Sequence, residues 1–496
     1  MSVGGIDLGT GKVKVARLTV AGTTELVRFD GQNDLTSCVF FGPSGGIVLG
    51  EEAFNLMLCD STRGVLDWKR HMGTDDVLYR DEKGQMYYAR HCARIYLEAC
   101  KTAYAKETGE ILKKAVISVP ANYNDRQKAE TREAAEACGI EVLRLVHEPT
   151  AALIGNEVTR RGDGWYVVVD VGHGTIDVSV ARCTGNEVEI KTTSGIPKCG
   201  GTDYTARLLD CVNAEFTKKH GHAIEPSTHS ISYQELYQRC IQAKHSLSIR
   251  ESTSIVISAD GKVLTLTVTR QQFADLTRDL TEQICDCVAT ALKDAGTTPQ
   301  DIREFIPAGG GSLVHAIGET VQRRFGKPFT SHTDVHFAVA RGAVIMARME
   351  EEAKGNSVTV DGRRLPPCGL SARDVTAHPI GVAVITRDGA RCVNSVILQK
   401  GVAIPGTKTC LYELAEPGQT TARVEVLQGS DGAPKDQCLI LGHFDMVGLQ
   451  PVHDKPHRLD IRLSLNRDGV LTAVAYYPLD GTTADMKVDY KKISGT

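Results

Sequence analysis

The period of apolar positions divides the chain into three stretches. From the N-terminus to about residue 354, apolar runs of strand length alternate with helix-period segments that carry recognisable ends. Residues 115–155 show the pattern. AVISVP reads as a short buried strand, and Asn124 or Asp125 can cap the helix RQKAETREAAEAC, which Gly139 stops. EVLRLV is the next strand, and Pro149 opens another helix in its first turn. Residues 355–377 hold no sustained period, and Gly355, Pro366, Pro367 and Gly369 mark them as a linker. From His378 to Thr496 strand alternation takes over. Leu459, Ile461, Leu463 and Leu465 alternate with polar partners, Asp468-Gly469 supplies a turn, and a second strand follows. The pattern predicts an α/β domain over 1–354, a linker over 355–377 and an all-β domain, a sandwich, over 378–496.

The first domain contains a repeat. GIDLGTGKVKVARL, from Gly5, resembles VVDVGHGTIDVSVARC, from Val168, with Asp7, Gly9 and Gly11 matching Asp170, Gly172 and Gly174. Two halves that each open with strand, glycine turn and strand predict a duplicated, two-lobed domain. A glycine turn between strands lets backbone N–H groups converge on an anion, because no Cβ blocks its approach. One such turn is weak evidence, since glycine also makes ordinary hairpins. Two in corresponding places, each preceded by an acid, point to a phosphate clamp. Thr10 and Thr175 add hydroxyls, and Asp7 and Asp170 suit Mg²⁺ held through water. A third cluster, Gly309-Gly310-Gly311-Ser312, follows the strand EFIPA. It either admits a flat base or sugar at close range or merely makes a tight strand–helix connection.

Composition narrows the classes. A chain of 496 residues exceeds one ordinary core, and 42% hydrophobic with 24% charged residues is an ordinary soluble balance. A formal charge of −4 argues against nucleic acid or an anionic membrane as partner. No stretch reaches the roughly 18–20 apolar residues of a membrane-spanning helix. The N-terminus MSVGGIDLGTG has no secretory pattern, so a cytoplasmic protein is expected. The 15 cysteines are odd in number, irregularly spaced and lack a C-x-x-C pair, which predicts reduced, mostly packed thiols rather than disulfides or a metal site.

In order along the chain, GIDLGTG, VISVPANYNDRQK, HEPTAAL, VVDVGHGTIDVSV, CGGTDY and AGGGS, then DVTAHPIGV, ILQKGVAIP, VEVLQGS and NRDGVL, resemble the seventy-kilodalton heat-shock (Hsp70) chaperone family of the actin-like ATPase superfamily. The resemblance implies a two-lobed actin-like (ribonuclease H-like) ATPase domain followed by a β-sandwich that binds extended apolar peptide. It implies ATP or ADP with Mg²⁺ as cofactors. The partners it implies are unfolded polypeptide, a J-domain co-chaperone and a nucleotide-exchange factor. By position, Lys69 matches the catalytic lysine, and Glu148 the acid that orients metal-bound water. Asp7, Asp170 and Asp177 match the carboxylates around magnesium and the nucleophilic water. Thr10 and Thr175 match phosphate-side threonines, with Gly9, Gly11, Lys12, Gly172, His173 and Gly174 completing the two turns. Gly200, Gly201, Gly309, Gly310, Gly311 and Ser312 match nucleotide-contacting turns, and Lys244 and Ser248 match adenosine contacts. Val396, Ile397, Tyr412, Leu414, Ala415 and Ala422 fall near the peptide pocket and arch, although alternating apolar residues are ordinarily core. No helical lid is expected, since the chain stops at Thr496 about where the family's helical segment begins. Phosphoryl transfer needs positioning and charge neutralisation, which these residue types supply. The bland alternatives are a surface ion pair between Lys69 and Asp67, and a Glu148 that only favours a helix N-terminus.

The chain also departs from the family. Gly11-Lys12 replaces the usual Thr-Asn or Thr-Tyr, and His173 replaces a glycine. Lys12 is either a phosphate contact or a solvated side chain. Ile241 stands where an acid binds ribose, and Leu313 where an arginine stacks on adenine. Pro120 keeps the family's switch proline, but Lys128 stands for its arginine partner and GLSARDVTA for the leucine-rich linker. The phosphate half is thus better preserved than the adenosine half. Two functions follow. One is an ATP-hydrolysing, peptide-binding chaperone. The other is a nucleotide-binding regulatory or scaffold protein with little or no turnover. A sugar kinase is disfavoured by the C-terminal β domain.

Overall fold

The computed structural model describes residues 3–43, 45–57, 59–386, 389, 391–454, 457–466 and 470–487. The chain divides into two compact units. One holds Met1–Ala121, Ala134–Val188 and Thr193–Ser371; the other holds Asn122–Glu133, Glu189–Thr192 and Ala372–Thr496.

The larger unit is mixed α/β, and the repeated sequence recurs as repeated topology. In its first sheet, β1 (Gly4–Leu8) and β2 (Lys12–Leu18) form a hairpin, β3 (Thr24–Val27) continues it antiparallel, and β4 (Lys114–Val119) and β5 (Glu141–His147) run parallel to β1 on its other side. The second sheet repeats this plan: β6 (Gly164–Val171) and β7 (Ile176–Thr184) form the hairpin, and β8 (Ile302–Ala308) runs parallel to β6. The β-branched runs of β6 and β7 are buried, as a strand covered on both faces requires. Val167, Val169, Ile176 and Val178 pack with Tyr204, Leu208 and Phe216 of a long helix, Gly201–His220.

Helix ends follow local chemistry. α1 (Ala89–Thr108) ends at Gly109 in the left-handed region. α2 (Asp125–Ala137) starts at Asn124, whose Oδ1 accepts from the Gln127 N–H at 3.0 Å while Gln127 Oε1 accepts from the Asn124 N–H at 2.9 Å, a reciprocal cap. α3 (Glu148–Gly155) carries Pro149 in its first turn. α4 is Gly201–His220, and α5 is Ser230–Leu247. Among the described residues no helix is long and apolar enough to cross a membrane.

The segment expected as a linker holds a short hairpin, Thr359–Val360 with Arg363–Arg364, turned by Asp361 and Gly362, both at positive φ. That is the Asp-Gly turn chemistry of a two-residue hairpin. A strand, Ser371–Val375, follows, and the division between the units falls between Ser371 and Ala372.

The smaller unit contains two antiparallel four-stranded sheets. β9 (Ile380–Ile385), β10 (Cys392–Leu398), β12 (Thr421–Gln428) and β13 (Leu439–Val447) pair in the order β10–β9–β12–β13. β11 (Gly406–Glu413), β14 (Arg458–Leu465), β15 (Leu471–Tyr476) and β16 (Thr483–Lys487) pair in the order β11–β14–β15–β16. Leu459, Ile461, Leu463 and Leu465 enter one core with residues of both sheets, as period-2 alternation dictates. The Asp468-Gly469 turn lies outside the described residues, but the strands flanking it pair antiparallel, Leu465 opposite Leu471.

Candidate functional site

The two glycine turns close the β1–β2 and β6–β7 hairpins of the larger unit, and each is braced through its carbonyls. At Gly9-Thr10-Gly11, Ser37 donates its Oγ hydroxyl to Gly9 O at 2.8 Å and its N–H to Gly11 O at 2.9 Å. At the second turn, the carbonyls of Gly172 and His173 accept from the N–H groups of Gly201 and Thr202, at 2.9 and 2.8 Å, in the first turn of α4. A Cβ on Gly200 would stand 2.7 Å from Gly174 N, so the Gly200-Gly201 pair lies backbone to backbone against this turn. Arg70 adds hydrogen bonds from Nη2 to Gly174 O at 2.9 Å and Thr202 Oγ1 at 2.8 Å.

The turns also meet each other. A Cβ at Gly11 would lie 2.6 Å from Cγ of His173, well inside contact distance, so the imidazole occupies the space a side chain at position 11 would need. His173 Nε2 pairs with Asp67 Oδ1 at 3.2 Å. Burial alone would raise the Asp67 carboxyl, but the His173 hydrogen bond and charge outweigh it and hold the group below its usual range. The two departures from the family at positions 11 and 173 are therefore one packing arrangement.

Behind the turns lie Asp7, Glu148, Asp170 and Asp177, all buried. Register decides their partners. On the first hairpin Asp7 stands opposite Lys14, and on the second Asp170 stands opposite Asp177. Lys14 Nζ donates to Asp7 Oδ2 at 2.8 Å, and Ser118 Oγ donates to Asp7 Oδ1 at 3.2 Å. Burial opposes the charge on Lys14, yet Asp7, then Asp34 and Asp170, more than compensate and raise its pKa. Asp170 is pushed well up by burial, then by Glu148, Asp177 and Asp7, with Lys14 opposing. Asp177 is pushed up by burial and Glu148, against the Ala121 N–H, Lys69 and Thr175. The Ala121 N–H donates to Asp177 Oδ1 at 2.9 Å.

Lys69 Nζ donates to Glu148 Oε1 at 2.6 Å, with side-chain exposures of 3% and 11%. That burial removes the reading of Lys69 as a surface ion pair. A short 3₁₀ turn, Trp68–His71, carries the lysine. Fully buried Trp68 stacks on Tyr96 of α1, with centroids 5.5 Å apart, and the Tyr96 hydroxyl donates to the carbonyls of Thr36 and Cys38 at 2.7 and 2.8 Å. The four carboxylates outnumber the two lysines among them. Hard oxygens carrying uncompensated negative charge are the donor set Mg²⁺ takes, so the residues fit that ion.

The third glycine cluster joins the second hairpin. A Cβ on Gly309 would collide with Asp170 Oδ1, and Gly309 has φ +70, so it is glycine on both counts. Ser312 Oγ donates to Gly309 O at 2.7 Å, and Gly311 lies against Val171. The ring of His336 abuts Gly310. Lys244, on α5, donates from Nζ to Gly201 O at 2.6 Å and Thr205 Oγ1 at 2.9 Å. Burial lowers it to about 8, with Asp203 opposing. Ser248 Oγ reaches Lys244 O at 3.4 Å. Ile241 is partly buried and Leu313 is 46% exposed.

The structure thus gathers Asp7, Lys69, Glu148, Asp170, Thr175 and Asp177 with both turns, Gly200, Gly201, Lys244 and Gly309. Lys12 turns aside to Asp34 at 2.7 Å and is half exposed. Of the sandwich candidates, Ile397, Leu414 and Ala422 are core residues, and Val396 is buried. Tyr412 is partly buried, with its hydroxyl on Ser395 Oγ at 3.1 Å, and Ala415 is exposed. Lys14 and Arg70 were not singled out from sequence, and Asp67 was read only as a surface partner for Lys69, whereas it pairs with His173. The signal for Lys14 was present, because aligning the two repeats places it at the position equivalent to Asp177.

Repeated hairpin-bearing sheets in one unit and two antiparallel sheets in the other make this a mixed α/β protein, consistent with the two-domain architecture of Hsp70. A family model described as Hsp70 protein matches residues 3–494. The chaperone protein DnaK of Thermotoga neapolitana is 32% identical over 479 residues, covering 94% of this chain and 77% of the relative. DnaK of Thermosipho melanesiensis is 32% identical over 478 residues, covering 94% and 76%. The chain belongs to the Hsp70 family.

Proposed function

We propose that this protein is an ATP-dependent chaperone. In this reading, residues 1–354 form a two-lobed actin-like domain that binds and hydrolyses ATP. Residues 355–377 link it to a sandwich over 378–496 that takes extended apolar peptide along a sheet edge. The observation that carries the reading is the buried Lys69–Glu148 pair at 2.6 Å, in the electrostatic company of Asp170 and Asp177.

Each residue has work to do in such a site. The two turns seat phosphate oxygens on backbone N–H groups, with Thr10 and Thr175 adding hydroxyls. Lys69 places a fixed ammonium where charge gathers on the transferring phosphoryl group. Glu148 holds that ammonium in place, and Asp177, raised by burial, accepts a proton from the attacking water. Asp7 and Asp170 hold Mg²⁺ through water, and when bound it neutralises phosphate charge. Gly309, Gly310, Gly311, Lys244 and Ser248 border the nucleoside. Unfolded polypeptide, a J-domain co-chaperone and an exchange factor are the partners this function implies.

The second reading, a nucleotide-holding regulatory protein with little turnover, draws on Ile241 and Leu313, which lack the polar groups that grip ribose and adenine. Magnesium-dependent ATP turnover of the wild type and Lys69→Ala decides between the two. The chaperone reading expects Lys69→Ala to lose about 10²-fold in turnover while ATP still binds. Equal background rates in both proteins, with ATP bound, would leave only the regulatory reading. Binding of an extended apolar peptide that changes with nucleotide is expected as well, and its absence at high protein concentration discards the chaperone function.

A further inference from the structure

The two hairpins differ at one equivalent position, and the difference is a charge. The register that faces Asp170 with Asp177 faces Asp7 with Lys14. The Lys14–Asp7 pair is close, at 2.8 Å, and shielded, with side-chain exposures of 12% and 7%. Asp7 is satisfied on both oxygens, by Lys14 on Oδ2 and by Ser118 on Oδ1. A buried ion pair is weak evidence for a stabilising role, since apolar residues of similar volume commonly serve as well. The hairpin fold does not call for a cation there either, because its sister hairpin carries an acid. What Lys14 does supply is one positive charge, fixed two residues beyond Lys12 on the strand that leaves the Gly9–Gly11 turn.

We propose that the Lys14 ammonium is a tethered cation of the nucleotide site. It provides, at the first turn, positive charge that a dissociable metal ion would otherwise bring, so that nucleotide binding depends only weakly on Mg²⁺. The proposal rests on the nucleotide-site reading above and concerns its regulation. A metal ion lowers repulsion between the phosphates and the buried carboxylates but must be captured from solution. An ammonium on a strand is present in every molecule, with its solvation already surrendered on folding. It answers the charge of Asp7 locally and reaches Asp170 electrostatically, where it opposes the other carboxylates. The turn at Gly9–Gly11 therefore meets phosphate with its acid already neutralised. Mg²⁺ keeps its water-mediated place by Asp7 and Asp170, and the carboxylate charge that Lys14 does not answer lies on the second hairpin, where Asp170 and Asp177 face each other.

The test is ADP affinity of the full chain, by calorimetry, in Mg²⁺ and in EDTA, for wild type, Lys14→Met and Lys14→Gln. Wild type is expected to lose about tenfold or less on removal of Mg²⁺, and the two neutral variants about a hundredfold. Glutamine keeps a hydrogen bond to Asp7 without the charge, so a packing defect confined to methionine is recognisable. A wild type that itself loses a hundredfold or more in EDTA overturns the proposal even if neither variant folds. Equal Mg²⁺ factors in all three proteins overturn it too, while ADP binding leaves the nucleotide site standing. Failure of the wild type to bind ADP under both conditions instead removes the nucleotide-site reading, and the tethered cation with it.

Discussion

The β1–β2 and β6–β7 hairpins share a backbone plan and differ in electrostatics. Both carry an aspartate two residues before a glycine turn, and both are braced through their turn carbonyls. The first sets a lysine across from its aspartate; the second sets another aspartate. A duplicated scaffold has thus been divided into a neutralised half and a half with surplus negative charge. Cation demand and proton affinity concentrate in the second, where burial and then repulsion from Glu148 raise Asp170 and Asp177.

That division can be broken most directly by making the hairpins alike. Lys14→Asp would set two buried, unneutralised carboxylates face to face, and is expected to cost about 3–5 kcal/mol in urea unfolding without Mg²⁺. A loss under 1 kcal/mol would mean that the first hairpin tolerates the electrostatics of the second. Next in size is the contact between the turns. Gly11→Thr drives a Cβ into His173 and should cost about 2–3 kcal/mol, with His173→Gly in the same chain restoring most of it. Additive costs in that double-mutant cycle would separate the two positions.

A smaller effect follows from Asp177. Its folded value, near 7, lies above the ordinary 3.8, so its contribution to stability is full below 3.8 and is lost as pH rises through about 7. Asp177→Asn should therefore gain on the metal-free wild type by about 1–3 kcal/mol between pH 5 and pH 8. Parallel stability curves over that range would contradict the placement of surplus charge in the second hairpin. The smallest expected effect lies beside it, at Lys244. Its charge is lost as pH rises through about 8. Nucleotide affinity should fall about threefold between pH 7 and pH 9, and Lys244→Arg should flatten the profile. A wild-type profile that is already flat would remove Lys244 from the nucleotide's surroundings.

Local signals made much of this legible in sequence. The repeat exposed the paired hairpins, Asn124 and Asp125 together announced a helix start, and alternation at Leu459–Leu465 announced strands. Relations across strands were harder. The repeat marks Lys14 as the counterpart of Asp177, but its partner emerges only once register sets it against Asp7, and Lys12, the more conspicuous lysine at the turn, reaches Asp34 instead. Gly11 and His173 read as separate departures because their contact joins segments far apart in the chain. In the sandwich, alternation marks which residues point inward but cannot separate a core position from a pocket, and Ile397, Leu414 and Ala422 lie in the core. The Asp361-Gly362 hairpin was missed because its arms are only two residues each.

The seating of His173 over Gly11 also constrains descent. With glycine at both positions the turns have a gap, which a protein can tolerate. With side chains at both, the ring and the new Cβ claim one space. From an ancestor with threonine at 11 and glycine at 173, the open route shortens position 11 first and admits histidine second. Once the ring is seated, return is costly in the opposite order, so the pair acts as a ratchet: position 11 regains a side chain without strain only after the histidine has left.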